Sequence, residues 1–189
     1  MKAIQHNILW FGIEYFSLEN CLVESTPDGL IINSIIVGLY KDEIYRVKYD
    51  LLLDENWKTE SCLIDARIGN KLKRIDLLKE GNVWLLNGEP QPEFNNCIDV
   101  DIPLTPLTNS LPINRLNLSV GQETIIDIVY IDLLEDIIKP VKQKYRRLSV
   151  EMFKYENIPN DFEAEIKVDA AGFVVDYPQL FKRKIRKQS

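Results

Sequence analysis

Histidine is nearly absent from this chain: of 189 residues only His6 carries an imidazole. A lone histidine cannot build a metal centre, and the three cysteines offer it no partners, because Cys21, Cys62 and Cys97 are widely spaced and form no CxxC pair. Neither a disulfide framework nor a structural zinc site is therefore expected, and no metal or cofactor is assigned. His6 lies four residues before Trp10 in an expected first strand, where it reads as a partly exposed strand histidine or, alternatively, a general base. Glycine-rich phosphate loops, the GxSxG nucleophile elbow and the HExxH zinc motif do not occur. Apolar runs of about eighteen residues, which a membrane-crossing helix needs, are missing as well. The segment MKAIQHNILWFGIEYF holds only six apolar or small residues (Ile8–Ile13) before Glu14, too few for an export signal, so the cytoplasm is the expected compartment.

Charge is unevenly spread along the chain. The net charge is -6, and the last eight residues, KRKIRKQS, hold five of the 23 basic residues and no acid, which leaves -11 on the rest. An acidic body argues against a nucleic-acid partner, since duplex binding rests on many cationic phosphate contacts. Residues 182–189 read as a solvated basic C-terminal tail behind a single domain spanning 1–181.

What the chain does have is period-two alternation. Tyr45, Val47, Tyr49, Leu51 and Leu53 fall on one side of an extended segment, with Arg46, Lys48 and Asp50 on the other. Cys62, Ile64, Ala66 and Ile68 repeat the pattern, as do Ala164, Ile166 and Val168, and Leu116, Leu118 and Val120. Thr124–Ile131 is apolar on both faces, the mark of a strand covered on both sides. Turn signals separate these runs, and Asn87-Gly88 is the strongest hairpin signal among them. Many short strands with frequent turns predict an all-β sheet that curls on itself. The best helix candidate lies near Thr105–Leu116, with Thr108, Asn109 or Ser110 as cap and Pro112 in a first turn. Leu133–Val141 reads as strand rather than helix, because Pro140 lacks a backbone donor.

Two groups of residues carry chemistry. Asp99 and Asp101 are two apart and project from one face of a strand, where they form either a functional carboxylate pair, with Glu14 as a further candidate, or the polar face of a half-buried strand. The aromatic residues Tyr45, Tyr49, Trp57, Trp84, Tyr145, Phe173 and Tyr177 fall on or near strands, where they fill a core or line a cavity for an acyl chain or sugar ring. Trp57 and Trp84, beside Asn56, Lys58 and Asn82, are the candidates for a pocket mouth.

From Asp99 onward the sequence DVDIPLTPLTNSLPINRL resembles the signature of the putative glycolipid-binding protein family, in which an Asp-rich strand leads to TP and then TNTLPIRRL. Thr105-Pro106, Thr108-Asn109, Leu111-Pro112-Ile113 and Arg115-Leu116 match, while Ser110 stands for threonine and Asn114 for the first arginine. That last exchange removes a fixed cation and a bidentate donor. Glu14, Gly38, Tyr45 to Asp50, Trp57, Gly81-x-x-Trp84 with Gly88, Gln143-x-Tyr145 and Gly172–Pro178 are similar to the family's other segments. The resemblance implies a spiral β-roll, a highly curved antiparallel sheet wrapped around a single short helix, found as a homodimer. It makes Thr105–Leu116 the enclosed helix.

The leading expectation is a non-catalytic module for a glycolipid or other amphiphile. The sheet would take the tail, and Trp57, Trp84, Asp101, Asn109, Arg115, Gln143, Tyr145 and Tyr177 are the ligand-binding candidates. Two alternatives stand beside it: a structural dimer with a filled core, and an enzyme using Asp99, Asp101 or Glu14 on a sugar or lipid.

Overall fold

The computed structural model describes residues 4–189. Met1–Ala3, the start of the segment weighed above as a leader, lie outside the described residues. Eight strands come first: β1 (Gln5–Gly12), β2 (Ser17–Thr26), β3 (Gly29–Tyr40), β4 (Glu43–Asp54), β5 (Thr59–Ile68), β6 (Lys71–Glu80), β7 (Val83–Leu86) and β8 (Glu89–Pro90). A 3-10 turn at Pro92–Phe94 leads to β9 (Asp99–Asp101) and the one α-helix described, α1 (Leu107–Leu116). Six strands close the order: β10 (Glu123–Asp132), β11 (Ile137–Arg147), β12 (Met152–Ile158), β13 (Glu163–Val168), β14 (Val174–Tyr177) and β15 (Phe181–Gln188).

All fifteen strands form one sheet, in the order β8-β7-β6-β5-β4-β3-β2-β1-β15-β14-β13-β12-β11-β10-β9. It consists of two meanders stitched together by β1 and β15. The mostly-β expectation holds, with two corrections. The sheet is mixed, because β9 runs parallel to β10 while every other pair is antiparallel, a consequence of crossing over through α1 between them. It is also open, neither closed nor strongly curled: its end strands β8 and β9 do not pair.

Alternation accounts for the strands. Tyr45, Val47, Tyr49, Leu51 and Leu53 all point into the core from β4, whereas Ile44, Arg46 and Leu52 face out. Removing each such apolar side chain from water contributes about 1.5–3 kcal/mol. Trp10 shows how polar atoms are satisfied inside: its indole is fully buried and donates to the Val174 carbonyl at 2.9 Å, tying β1 to β14. The Asn87-Gly88 turn joins β7 to β8 as expected, with both residues at positive φ (51° and 84°), the geometry of a type I′ hairpin. Gly38, opposite Tyr45, has a different constraint: an added Cβ would lie 2.5 Å from the buried tyrosine ring. Gly38→Ala is therefore expected to cost about 1–3 kcal/mol, read as a lowered midpoint in urea unfolding.

Five local expectations are overturned. Residues 182–188 are not a solvated tail but most of β15, hydrogen-bonded between β1 and β14. Leu116, Leu118 and Val120 do not form a strand; the helix runs to Leu116 and Asn117 ends it in a left-handed conformation. The cap residue of α1 is Pro106, without a side-chain cap bond; Thr105 Oγ1 accepts from the Leu107 amide at 3.0 Å instead. Pro112 sits inside the helix rather than in its first turn. His6, expected to be partly exposed, lies on the core face of β1 with its ring edge-on to Phe173 at 5.1 Å.

The two meanders also touch away from β1 and β15. Trp84 Nε1 and Lys79 Nζ both donate to the Cys97 carbonyl, at 3.0 and 2.9 Å. Lys41 pairs with Glu135 at 2.7 Å and Lys73 with Asp136 at 2.6 Å. Residues 107–113 of α1 are buried in this interior. Among the described residues no helix is long and apolar enough to cross a membrane.

Candidate functional site

β9 and α1 set the floor of a cleft of about 250 Å³. Asp101, the last residue of β9, opens into it, together with Thr105 and Asn109 from the start of the helix region. Around them stand Tyr15, Tyr130, Tyr155, Phe162, Tyr177 and Phe181, drawn from both meanders. The rings touch in sequence: Tyr15 stacks on Phe181 at 6.0 Å, Phe181 meets Tyr177 at 6.2 Å, and Tyr177 meets Tyr155 at 6.3 Å. Glu14 lies at the rim, and among the described residues no lysine or arginine lines the cleft. A second hollow of about 280 Å³ adjoins it across Tyr130, Tyr155 and Asn157 and is lined in part by Gln143 and Asp132.

The Asp101 carboxylate is held from both sides. Thr108 Oγ1 donates to its Oδ1 at 2.9 Å and Gln143 Nε2 to its Oδ2 at 2.7 Å. Behind them, the Tyr145 hydroxyl donates to Gln143 Oε1 at 3.2 Å and accepts from Asn109 Nδ2 at 3.0 Å. Burial raises the pKa of Asp101, against the pull of the Thr108 and Gln143 bonds. Burial likewise raises the phenols of Tyr15, Tyr130, Tyr155 and Tyr177, which stay protonated and able to donate. The arrangement suits a polyhydroxylated ring: apolar faces to stack on, one fixed acceptor and several neutral hydroxyl donors.

Thr105 couples this floor to a buried acid. Glu19 Oε1 accepts from Tyr49 at 2.6 Å, Ser34 at 2.8 Å and Thr105 at 2.9 Å, while Glu19 Oε2 is buried with no partner among the described residues. Among the described residues no cation compensates it, and burial pushes its pKa up to about 7.

The expected site residues separate into groups. Asp101, Asn109 and Tyr177 line the cleft, Gln143 lines the neighbouring hollow, and Tyr145 is buried behind them as their support. Arg115 is not in the cleft. It grips Asp99 instead, Nε to Oδ1 at 3.0 Å and Nη2 to Oδ2 at 2.5 Å, deep in the interior. Asp99 and Asp101 thus serve different partners, and neither is a solvated strand face. Trp84 is fully buried in the core, and half-buried Trp57 packs on Phe173 at 6.1 Å, so neither stands at the mouth of the cleft. Asn114 turns back to donate to the Ser110 carbonyl at 2.9 Å, away from the cleft. Missed altogether were Tyr15, Tyr130, Tyr155, Phe162 and Phe181. Their signal was faint, since each is one strand or loop aromatic far in sequence from the Asp101 motif. Among the described residues no group of three or more His, Cys, Asp or Glu side chains is placed to hold a metal ion.

Fold and cleft together define a class: a mostly-β protein whose long open sheet and short helix frame an aromatic, carboxylate-floored hollow. The chain belongs to the putative glycolipid-binding family, whose model matches residues 7–183. A crystal structure of a DUF1089 family protein from Pseudomonas aeruginosa is 30% identical, with a TM-score of 0.79 over 87% of this chain and 91% of that one. A β-barrel-like protein of domain of unknown function DUF1849 from Brucella abortus shares the fold alone, at 9% identity and a TM-score of 0.54, covering 97% of each chain. No curated protein matches.

Proposed function

We propose that the cleft at Asp101 binds an uncharged sugar headgroup of an amphiphile and does no chemistry on it. One observation carries this reading: rings from both meanders surround a single fixed carboxylate, and among the described residues no cation lines the cleft. A phosphate or sulfate would meet Asp101 and Glu14 without a counter-charge, whereas a neutral ring would stack on Tyr177 and hydrogen-bond to Asp101 and Asn109. The size of the cleft suits a headgroup rather than a whole lipid. The cytoplasmic setting and the homodimer implied by family likeness belong to the same proposal.

Titration with a short-chain alkyl glucoside below its micelle concentration tests it, with the matching alkyl phosphate as control. The glucoside is expected to bind and raise the melting temperature, and the phosphate to do neither. Asp101→Asn is expected to weaken glucoside binding about tenfold or more, the value of a hydrogen bond to a charged group. Preference for the phosphate would refute the proposal. Turnover of the glucoside, lost in Asp101→Asn, would favour the enzyme alternative.

A further inference from the structure

The outer face of the first meander carries a row of exposed side chains that a folded interior does not need. Neighbour by neighbour across seven strands it reads Lys182, Phe11, Leu18, Val37, Arg46, Arg67, Leu72, each the direct cross-strand partner of the next. The apolar members are strongly exposed: Leu72 76%, Leu18 50%, Val37 49% and Phe11 37%. Leu39 and Ile44, themselves a pair, extend the apolar strip to one side. At a strand spacing of about 4.8 Å the row spans roughly 29 Å.

Its charges are of one sign. Arg46, Arg67 and Lys182 make no ion pair among the described residues, and Lys184 lies over the Phe11 ring at 5.3 Å. Of the acids nearby, Asp65 is matched by Arg74 at 3.4 Å and Asp50 by Lys48 at 2.9 Å, while Asp76 lies two rows away and Asp176 is the next cross-strand neighbour of Lys182. In a chain of net charge -6, the apolar stretch Phe11, Leu18 and Val37, flanked by Lys182 on one side and Arg46 and Arg67 on the other, is a local inversion of the protein's character.

We propose that this face docks on an anionic lipid surface. The aliphatic centre would enter the headgroup boundary while Lys182, Lys184, Arg46 and Arg67 meet lipid phosphates on either side. A second copy of the chain fits less well. Two-fold pairing of Phe11, Leu18 and Val37 on themselves brings Lys182 against Lys182 in one direction and against Arg46 in the other. The proposal is independent of the cleft, because none of these residues lines it.

Co-sedimentation of the full chain with phosphatidylcholine vesicles, pure or mixed with phosphatidylglycerol, tests it. Binding is expected to the mixed vesicles only and to fall as salt rises. The outward-facing triple change Arg46→Gln, Arg67→Gln, Lys182→Gln is expected to weaken it about a hundredfold, taking roughly fivefold per cation, without altering glucoside binding in the cleft. Leu18→Ser with Val37→Ser should weaken it too. Equal binding to both vesicle types, or an undiminished triple variant, would overturn the proposal. So would a solution dimer that the Leu18/Val37 variant splits, since that would give the strip to a second copy.

Discussion

Arg115→Ala is expected to destabilise the fold by about 3–5 kcal/mol, the cost of removing one partner from a buried ion pair. Only 11% of the Arg115 side chain and 1% of the Asp99 side chain are exposed. The guanidinium holds both carboxylate oxygens of Asp99, so its loss leaves a charge that has neither water nor a bound cation. Against a typical total of about 5–15 kcal/mol, that is a large share of the stability. Even with Arg115 present, burial raises the pKa of Asp99. Without it the carboxyl should hold its proton more tightly still, so the loss should shrink as pH falls. Asp99→Asn in the Arg115→Ala background removes the stranded charge and should recover part of the stability. Urea unfolding of the four members of this cycle measures both effects, and an additive cycle would show that the pair does not act as a unit.

The second large effect is a pH dependence centred on Glu19. Its folded pKa, about 7, lies above the ordinary glutamate value of 4.5, so between those values the folded state binds the proton and the unfolded state releases it. Stability therefore falls as pH rises through that window and is flat beyond either end, so far as this group is concerned. The full swing is about 3 kcal/mol. Glu19→Gln keeps an oxygen for Ser34, Tyr49 and Thr105 and carries no charge at any pH. The variant is expected to match the wild type near pH 5 and to exceed it near pH 8, as followed by denaturant midpoints. Because Thr105 also forms part of the cleft, the same change should leave glucoside binding at pH 5 intact. A variant less stable than the wild type at pH 8 would mean that the carboxylate is held by something other than these three hydroxyls.

Strands were legible wherever one face meets the core, because alternation in β4, β5 and β13 arises directly from a buried and a wet side. The basic C-terminal segment was misread for the same reason in reverse. β15 buries Phe181 but leaves most of its other side chains exposed, so charge rather than alternation dominates its sequence. Its strand character comes from partners at the other end of the chain. The helix was located by its cap-forming residues and the family resemblance, yet its start was misplaced, since Thr105 reaches forward to the Leu107 amide from outside the helix. Within the site, Asp101 and Asn109 were found because one motif holds both. Tyr15 and Tyr155 become neighbours of that motif only through sheet order, which a single sequence does not display. Trp84 misled because polar neighbours in sequence say nothing of Cys97, whose carbonyl takes up the indole proton inside the core.

The stitch between β1 and β15 has a consequence for the order of events during synthesis. β1 finds β2 at once, but its other edge stays open until Phe181–Gln188 have been made. At about 5–20 residues per second the wait is on the order of ten to thirty seconds. Throughout it the first meander carries an unpaired edge, a template for strands of other nascent chains. Yield on overexpression should therefore depend on how fast the last strand emerges, and a chain cut before Phe181 should aggregate rather than fold to a smaller sheet.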